Sequence, residues 1–338
     1  MMATIKDIAK LSGYSIGTIS RVINHRPDVS PEARKRIEEI IQRENFQPNS
    51  NAKLLKQRGT SSITVLVKGI ANSFLESILE EMQISLHSHG EEINVVFLDE
   101  EANEIEAALQ ICREQKPKGL IFLGGNRRYF SERFSEIKVP AVLVSDTAED
   151  LGFANLSSFT TDDFKAARMA IDFLTHRGHQ RIAIIGGSLN DENGLVGARR
   201  VQGALDMLKE KGLSFDLEKD YVSCRFSMQD GYNAMQELLK KADGITGIFA
   251  VGDMIAIGAV RAAADAGLKV PDDLSIIGFD GIDYVRYSVP RLATIMQDTK
   301  QLAERSVEDL LMRISYTRNA VHEMIPFRVI TGESIRQL

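Results

Sequence analysis

The stretch Ser15–Asn24, "SIGTISRVIN", carries a glycine inside what otherwise reads as a helix. Ser15 can cap it, and Ile19, Val22 and Ile23 recur at i, i+3 and i+4, so one face is apolar. Gly17 lies in the first turn on the other face, with Ile16, Thr18, Ser20, Arg21 and Asn24 around it, at a helix-propensity cost of roughly 1 kcal/mol against alanine. Upstream, Thr4 with Asp7 three residues on opens a helix that carries Ile5 and Ile8 and stops at Gly13. Downstream, "VSPEARKRIEEII" has Ser30 as cap, Pro31 as first helical residue, and Ile37, Ile40 and Ile41 turned inward. Three short helices with a tight glycine turn between the first two make a helix-turn-helix layout. In that motif the first turn of the second helix meets base edges, and a residue without a side chain permits close approach to the major groove. A three-helix protein-binding module, or a cap on a larger core, fits the same spacing.

Charge divides along the chain in the same place. The 338 residues carry a net charge of −6, yet residues 1–60 hold 11 Lys+Arg against 6 Asp+Glu and the remainder 30 against 41. A small basic module on an acidic body is the consequence, with a solvated basic face as the plainer alternative. With 43% apolar residues the chain can fill cores in two or three domains. No apolar run reaches the roughly 18 residues of a membrane span. "MMATIKDIAK" lacks the pattern of a signal peptide, so a cytoplasmic location is expected. Cys112 and Cys224 have no metal-ligand or disulfide-framework spacing and read as buried, inert thiols.

The residues "TIKDIAKLSGYSIGTISRVIN" closely resemble the headpiece motif T-x-x-D-[IV]-A followed by G-[VY]-S-x-x-T-[VI]-S-R-[VI]-[IL]-N of the LacI/GalR family of bacterial ligand-responsive transcriptional regulators. The resemblance continues through "VSPEARKRIEEIIQRENFQPNSNAKLLK". It implies double-stranded operator DNA as partner, with Thr4, Ser15, Ile16, Gly17, Thr18, Ser20, Arg21 and Asn24 at the interface. Ile16 and Gly17 fall on the specificity-determining positions and Arg21 on the base-contacting arginine. In "PNSNAKLLKQRGTSS", residues 50–57 could make two helical turns, too short to be stable alone in water. By resemblance this is the hinge helix, with Asn49, Ala52 and Leu55 at the minor groove and Leu55 inserted between base pairs. An interdomain linker whose leucines rest on the body is the alternative.

Beyond Thr60, the runs "ITVLV", "INVVFL", "GLIFLG", "PAVLVS", "RIAIIGG", "YVSCRF", "GIFAVG" and "LSIIGFD" alternate with helix-length amphipathic stretches. Strands so uniformly apolar belong to parallel sheets covered on both faces. Two such sets predict two subdomains, with a ligand at the carboxyl ends of the strands. The resemblance extends here through "RGHQRIAIIGG", "RVQGALDML" and "VPDDLSIIGFDGI". It implies a periplasmic-binding-protein-like body of two Rossmann-like subdomains joined by three crossovers, with a small-molecule effector, a sugar or sugar derivative, between them.

The organisation expected is thus α/β: a headpiece at 1–47, a hinge and linker at 48–60, and an effector-binding and dimerisation body at 61–338. Within the body, one lobe is expected at about 61–159 plus 290–320 and the other at 160–289 plus 321–338. Carried over by motif, Arg200 and Asp280 should face each other across the cleft, Phe226 should stack on the ligand, and Asn72 and Phe74 of "IANSF" should lie in the first lobe's loop. Two departures stand out: Gly252 where the family commonly has asparagine, and Gly332 where it has arginine. Both put the usual ligand chemistry in question.

Gly124-Gly125 and Gly186-Gly187 complete no phosphate-binding glycine motif, and no nucleophile-elbow motif occurs. His87 with His89 and His176 with His179 have metal-like spacing at helix ends beside glycine, where solvated or capping roles are expected. No metal, cofactor or catalytic residue is assigned. A soluble sugar-binding protein or a sugar-related enzyme is the rival reading. The regulator expected is a homodimer associated with the nucleoid, since a palindromic operator needs a two-fold protein. The chain stops at "ITGESIRQL" without leucine heptads that would join dimers into tetramers.

Overall fold

The computed structural model describes residues 5–23, 29–43, 62–69, 72–189 and 196–338, and side chains are described for most of these. Two compact units divide the chain between Ser61 and Ser62. The first unit contains α1 (Ile5–Ser12), α2 (Ile16–Ile23) and α3 (Pro31–Arg43). Gly13, at φ +77°, ends α1 in a left-handed conformation that glycine adopts without penalty. Ser15 caps α2 by accepting the Thr18 N–H at 3.2 Å, and Ser30 caps α3 by accepting the Ala33 N–H at 3.3 Å. The core of this unit is small: Ile8, Ile19, Val22, Ile37 and Ile40, one stripe from each helix.

The second unit holds two parallel-stranded sheets. β1 (Ile63–Lys68), β2 (Ile93–Leu98), β3 (Gly119–Leu123), β4 (Ala141–Val144) and β5 (Leu156–Thr160) form the first, with helices α4 (Ser73–Ser88), α5 (Glu104–Gln115) and α6 (Arg127–Arg133) between them. After α7 (Asp163–Thr175) comes the second sheet. It comprises β6 (Ile182–Ile185), β7 (Tyr221–Val222), β8 (Gly247–Ala250), β9 (Ser275–Asp280) and β10 (Ala293–Gln297). Its helices are α8 (Val196–Glu210), α9 (Leu217–Asp220), α10 (Met228–Lys241) and α11 (Asp253–Asp265). Then α12 (Thr299–Ser315) and the short strands β11 (His322–Met324) and β12 (Phe327–Ile330) follow. The spatial orders are β11-β5-β4-β3-β1-β2 and β12-β10-β9-β8-β6-β7, every pairing parallel except β12 on β10. In each sheet the first strand lies between the second and the third, so successive crossovers run in opposite directions and leave a crevice at the carboxyl ends of β1 and β3, and of β6 and β8.

These pairings correct the expected lobe boundaries. The segment 290–297, expected in the first lobe, belongs to the second, because β10 pairs with β9 from Ala293↔Ile277 to Met296↔Asp280. Conversely β11, expected in the second lobe, pairs with β5 of the first. Only α12, between the two, packs on α4 and the first sheet. The chain therefore passes between lobes near residues 161, 298 and 325, three crossovers as the resemblance implies. Among the histidines, His89 and His176 cap helix ends, but His179 is fully buried with its Nδ1 3.0 Å from Thr246 Oγ1, which corrects the solvated reading at that position.

Close helix packing in the second lobe depends on glycine. A Cβ at Gly258 of α11 would overlap the Met228 carbonyl oxygen and lie 2.7 Å from Tyr232 N on α10. Neither backbone atom can swing aside, so Gly258→Ala should destabilise the body by roughly 1–3 kcal/mol as the two helices separate. Urea unfolding followed by circular dichroism would measure this. An unchanged midpoint would show that the helix pair adapts freely.

Candidate functional site

A cavity of about 240 Å³ lies where the carboxyl ends of the two sheets meet within the body. It is lined from the first lobe by Lys68, Asn72, Phe74 and Ser145, and from the second by Arg200, Phe226 and Asp280. All five effector residues expected from the sequence are thus brought to one cavity.

Arg200, on α8, is 3% exposed. Its Nε donates to Asp163 Oδ1 at 2.8 Å, and its Nη1 donates to the Val251 carbonyl at 2.8 Å and to Asp280 Oδ1 at 3.0 Å. The guanidinium also lies over the Phe279 ring, 3.7 Å from its centroid. Arg200 and Asp280 therefore do not oppose one another across the cleft, as expected; they are hydrogen-bonded neighbours in one lobe. The reason is topological, since α8 follows β6 and Asp280 ends β9, two strands of the same sheet.

Asp280 has φ +112°, a backbone conformation that non-glycine residues rarely adopt. The next turn is held by buried Asp253, whose Oδ2 accepts the N–H of Gly281 at 2.6 Å and of Ile282 at 3.0 Å, while its Oδ1 accepts the Thr294 hydroxyl at 2.7 Å. Gln297 Nε2 donates to Asp280 Oδ1 at 2.9 Å. Burial pushes the Asp280 carboxyl up to about 6 against the pull of Arg200. Ser145 shows the same backbone feature on the opposite lobe, at φ +71°.

Asn72 has two tasks, since its Oδ1 caps α4 by accepting the Leu75 N–H at 3.3 Å while the residue lines the cavity. Phe74 is buried at the cavity wall. Phe226 explains the first glycine departure: a Cβ at Gly252 would lie 3.0 Å from the Phe226 ring, so the ring leans into the space that a side chain at 252 would need. Gly332 does not line the cavity; a Cβ there would meet the backbone of Arg291–Ala293, 2.5 Å from Ala293 N. That departure is one of packing and leaves the ligand chemistry untouched.

Sequence reasoning missed Lys68, Glu100, Ser145, Cys224 and Arg225 in the lining. Each follows closely on a strand, so the carboxyl-end rule was the signal for them. Lys68 Nζ is 2.5 Å from Glu104 and 5.0 Å from the Tyr129 ring centroid. Burial pushes the Cys224 thiol up to about 12, so it remains protonated. Two ion pairs join the lobes beside the cavity: Arg199 with Asp146 at 2.8 Å, and Arg225 with Glu101. Burial pushes Asp146 up to about 7, opposed by Arg199.

In the first unit, Gly17 and Arg21 are exposed and Thr18 is half-buried, while Ser15 serves as the α2 cap. Among the described residues, a Cβ at Gly17 would meet only Ser15 Oγ, at an ordinary 3.6 Å, so their packing does not require glycine there. The side chains of Ile16 and Ser20, and the residues Thr4, Asn24, Asn49, Ala52 and Leu55, lie outside the described residues, as does the expected hinge at 48–60. No helix among the described residues is long and apolar enough to cross a membrane.

Residues 4–49 match the family described as bacterial regulatory proteins, lacI family, and residues 171–335 match the periplasmic binding protein-like domain. The HTH-type transcriptional regulator MalR of Clostridium butyricum is 36% identical over 98% of this chain and 98% of its own. A LacI family transcriptional regulator from Enterococcus faecium, solved with bound ribose, superposes with a TM-score of 0.70 at 28% identity, covering 82% of this chain and 99% of that one. The lac repressor dimer bound to operator and the anti-inducer ONPF shares the fold, with a TM-score of 0.75 at 23% identity over 99% and 100% of the two chains. A three-helix unit and a two-lobed body with a cavity between its lobes thus occur in a single chain. It belongs to the lacI family of bacterial regulatory proteins and is a ligand-controlled, DNA-binding transcriptional regulator, not an enzyme.

Proposed function

We propose that the protein is a cytoplasmic, nucleoid-associated repressor that binds a near-palindromic operator as a homodimer and is switched by a neutral sugar held between its lobes. The observation that carries the choice of ligand is the charge balance of the cleft. Lys68 is paired with Glu104, Arg200 with Asp163 and Asp280, and Arg225 with Glu101. Among the described residues, no lining cation is left over for a phosphate or carboxylate. Asp280 and Arg200 offer directional acceptors and donors to hydroxyl groups, and the Phe74 and Phe226 rings suit the C–H faces of a sugar. The cavity is at the small end for small-molecule sites, which favours a compact ligand. A relative solved with ribose supports the same class.

On DNA, α2 would enter the major groove with Ile16, Gly17, Ser20 and Arg21 towards the bases. Thr4, Ser15, Thr18 and Asn24 would support it, and Asn49, Ala52 and Leu55 of the 48–60 hinge would lie in the minor groove. Switching would act through the placement of the lobes, to which the Arg199–Asp146 and Arg225–Glu101 pairs contribute directly. The effector can bias DNA binding only by its differential affinity for the two placements.

The test is to select an operator from random duplexes and to compare variants on it by fluorescence anisotropy. Arg21→Ala should lose roughly 1–3 kcal/mol on the selected operator and far less on random DNA. Equal loss on both would remove the base-reading role. Asp280→Asn should abolish the response to a panel of neutral sugars while operator binding persists; an undiminished response would move the effector site elsewhere.

The raised Asp280 carboxyl adds a pH dependence. Below about 6 the group is protonated and loses its charged bonds, so calorimetric sugar affinity should fall as pH drops from 7.5 to 5.5. The sign for stability is opposite. Between the ordinary value of 3.8 and about 6 the folded group holds its proton more firmly than the unfolded one, so its contribution to stability declines as pH rises through that window. A flat affinity profile would show that the ligand does not bond to this carboxylate.

A further inference from the structure

The body has a second depression at the opposite end of the first sheet, where its strands begin, with a volume of about 280 Å³. Lys138, Pro140 and Asn155, which precede β4 and β5, form one wall, and Arg313, Tyr316 and Arg318 at the end of α12 form the other. Among the described residues, three of its lining side chains are cations and none is a carboxylate.

Arg313 is 6% exposed, and its partners are mostly neutral. Nη1 donates to the Ala141 carbonyl at 3.0 Å and to Ser157 Oγ at 2.8 Å, and Nη2 donates to the Ala154 carbonyl at 3.4 Å. Its carboxylate neighbour, Asp309 Oδ2, is 3.5 Å away, and Nε has no acceptor among the described residues. A guanidinium taken this far out of water needs good counter-charge, and one long contact supplies little of it. At the mouth, Lys138 and Arg318 are exposed, and Lys138 Nζ donates to the Ser135 carbonyl at 2.7 Å. Ser315, Tyr316 and Thr317 also line the pocket. By the count used for the cleft, Arg313 is paired with Asp309, and Lys138 and Arg318 are the lining cations with no carboxylate within ion-pair distance among the described residues.

We infer that this pocket is a second ligand site, separate from the cleft, and that it takes a phosphate group. The donor set is matched to that chemistry, because a phosphate carries enough oxygens and charge to engage two guanidinium groups, an ammonium and hydroxyls together. Two sources present such a group. One is a free phosphorylated metabolite. The other is the DNA backbone, since the pocket opens at the end of the sheet where the chain enters the body: the Lys118 N–H donates to the Ser62 carbonyl at 3.1 Å, one strand away from Pro140.

The test uses the full chain and the variant carrying both Lys138→Ala and Arg318→Ala, two exposed positions whose truncation leaves the fold intact. Inorganic phosphate, titrated at ionic strength matched with chloride, should raise the melting temperature of the parent saturably, as a ligand of the folded state must. The double variant should lose that rise, whereas a general salting effect would persist in it. In parallel, the slope of log affinity against log salt is measured on random duplex DNA. A slope shallower by up to about 2 in the double variant assigns the pocket to backbone phosphates. Loss of the phosphate effect with an unchanged slope assigns it to a free phosphorylated ligand. If the variant and parent respond alike to phosphate, or neither responds, and the slope is unchanged, the inference is overturned.

Discussion

The buried guanidinium of Arg200 ties together more of this structure than any other single group near the cleft. Its N–H groups reach Asp163 at the start of α7, the Val251 carbonyl after β8 and Asp280 at the end of β9, while Phe279 lies against its face. Deleting it would leave two carboxylates buried without their cation, a far worse outcome than never having had the network. The cation also decides what the cleft can recognise. Asp280 is oriented by Arg200 and Gln297 and its backbone is locked by Asp253, so the polar floor is assembled within the second lobe before any ligand arrives. The first lobe contributes the wall containing Asn72, Phe74 and Lys68. On the proposed reading, recognition would be divided between a preorganised floor and a wall on a separate sheet, an arrangement that would couple binding to lobe placement.

The parts of this fold that were legible in sequence are those set by local chemistry. Ser15 and Ser30 cap the helices where the pattern puts caps, and the apolar runs became strands because a parallel sheet buries both faces. The strand Leu156–Thr160 was not read, because "LSSFT" is polar in three of five positions. Those hydroxyls are nevertheless buried, and two are satisfied from other elements: Ser157 by Arg313 and Ser158 by His322. Nor does a five-residue run such as "ATIMQ" carry information about which sheet it joins. That depends on crossovers more than a hundred residues back, and the expected lobe boundaries failed there. The site shows the same division. Motifs supplied the residue types Arg200 and Asp280, but which side of the cleft each occupies is a property of strand order. Gly252 could be seen as a departure, while its cause, the Phe226 ring, comes from a loop that only folding brings beside it.

The glycines separate what the protein needs for itself from what it keeps for a partner. Gly203, Gly231 and Gly258 are each pressed against the backbone of a neighbouring helix, at Phe164, Ile255 and Met228 respectively, so their reason lies inside the fold. Among the described residues Gly17 has no such neighbour; a side chain there would meet only the cap serine at contact distance, and the position is exposed. Yet the helix that carries it rests, among the described residues, on a core of five buried side chains, and in so small a unit a propensity loss of roughly 1 kcal/mol is a large share of the available stability. Among the described residues no internal cause for that loss is present. On the proposed reading, the close approach of operator DNA to the first turn of α2 would account for it, and Arg21, one turn further on, would meet that surface with charge.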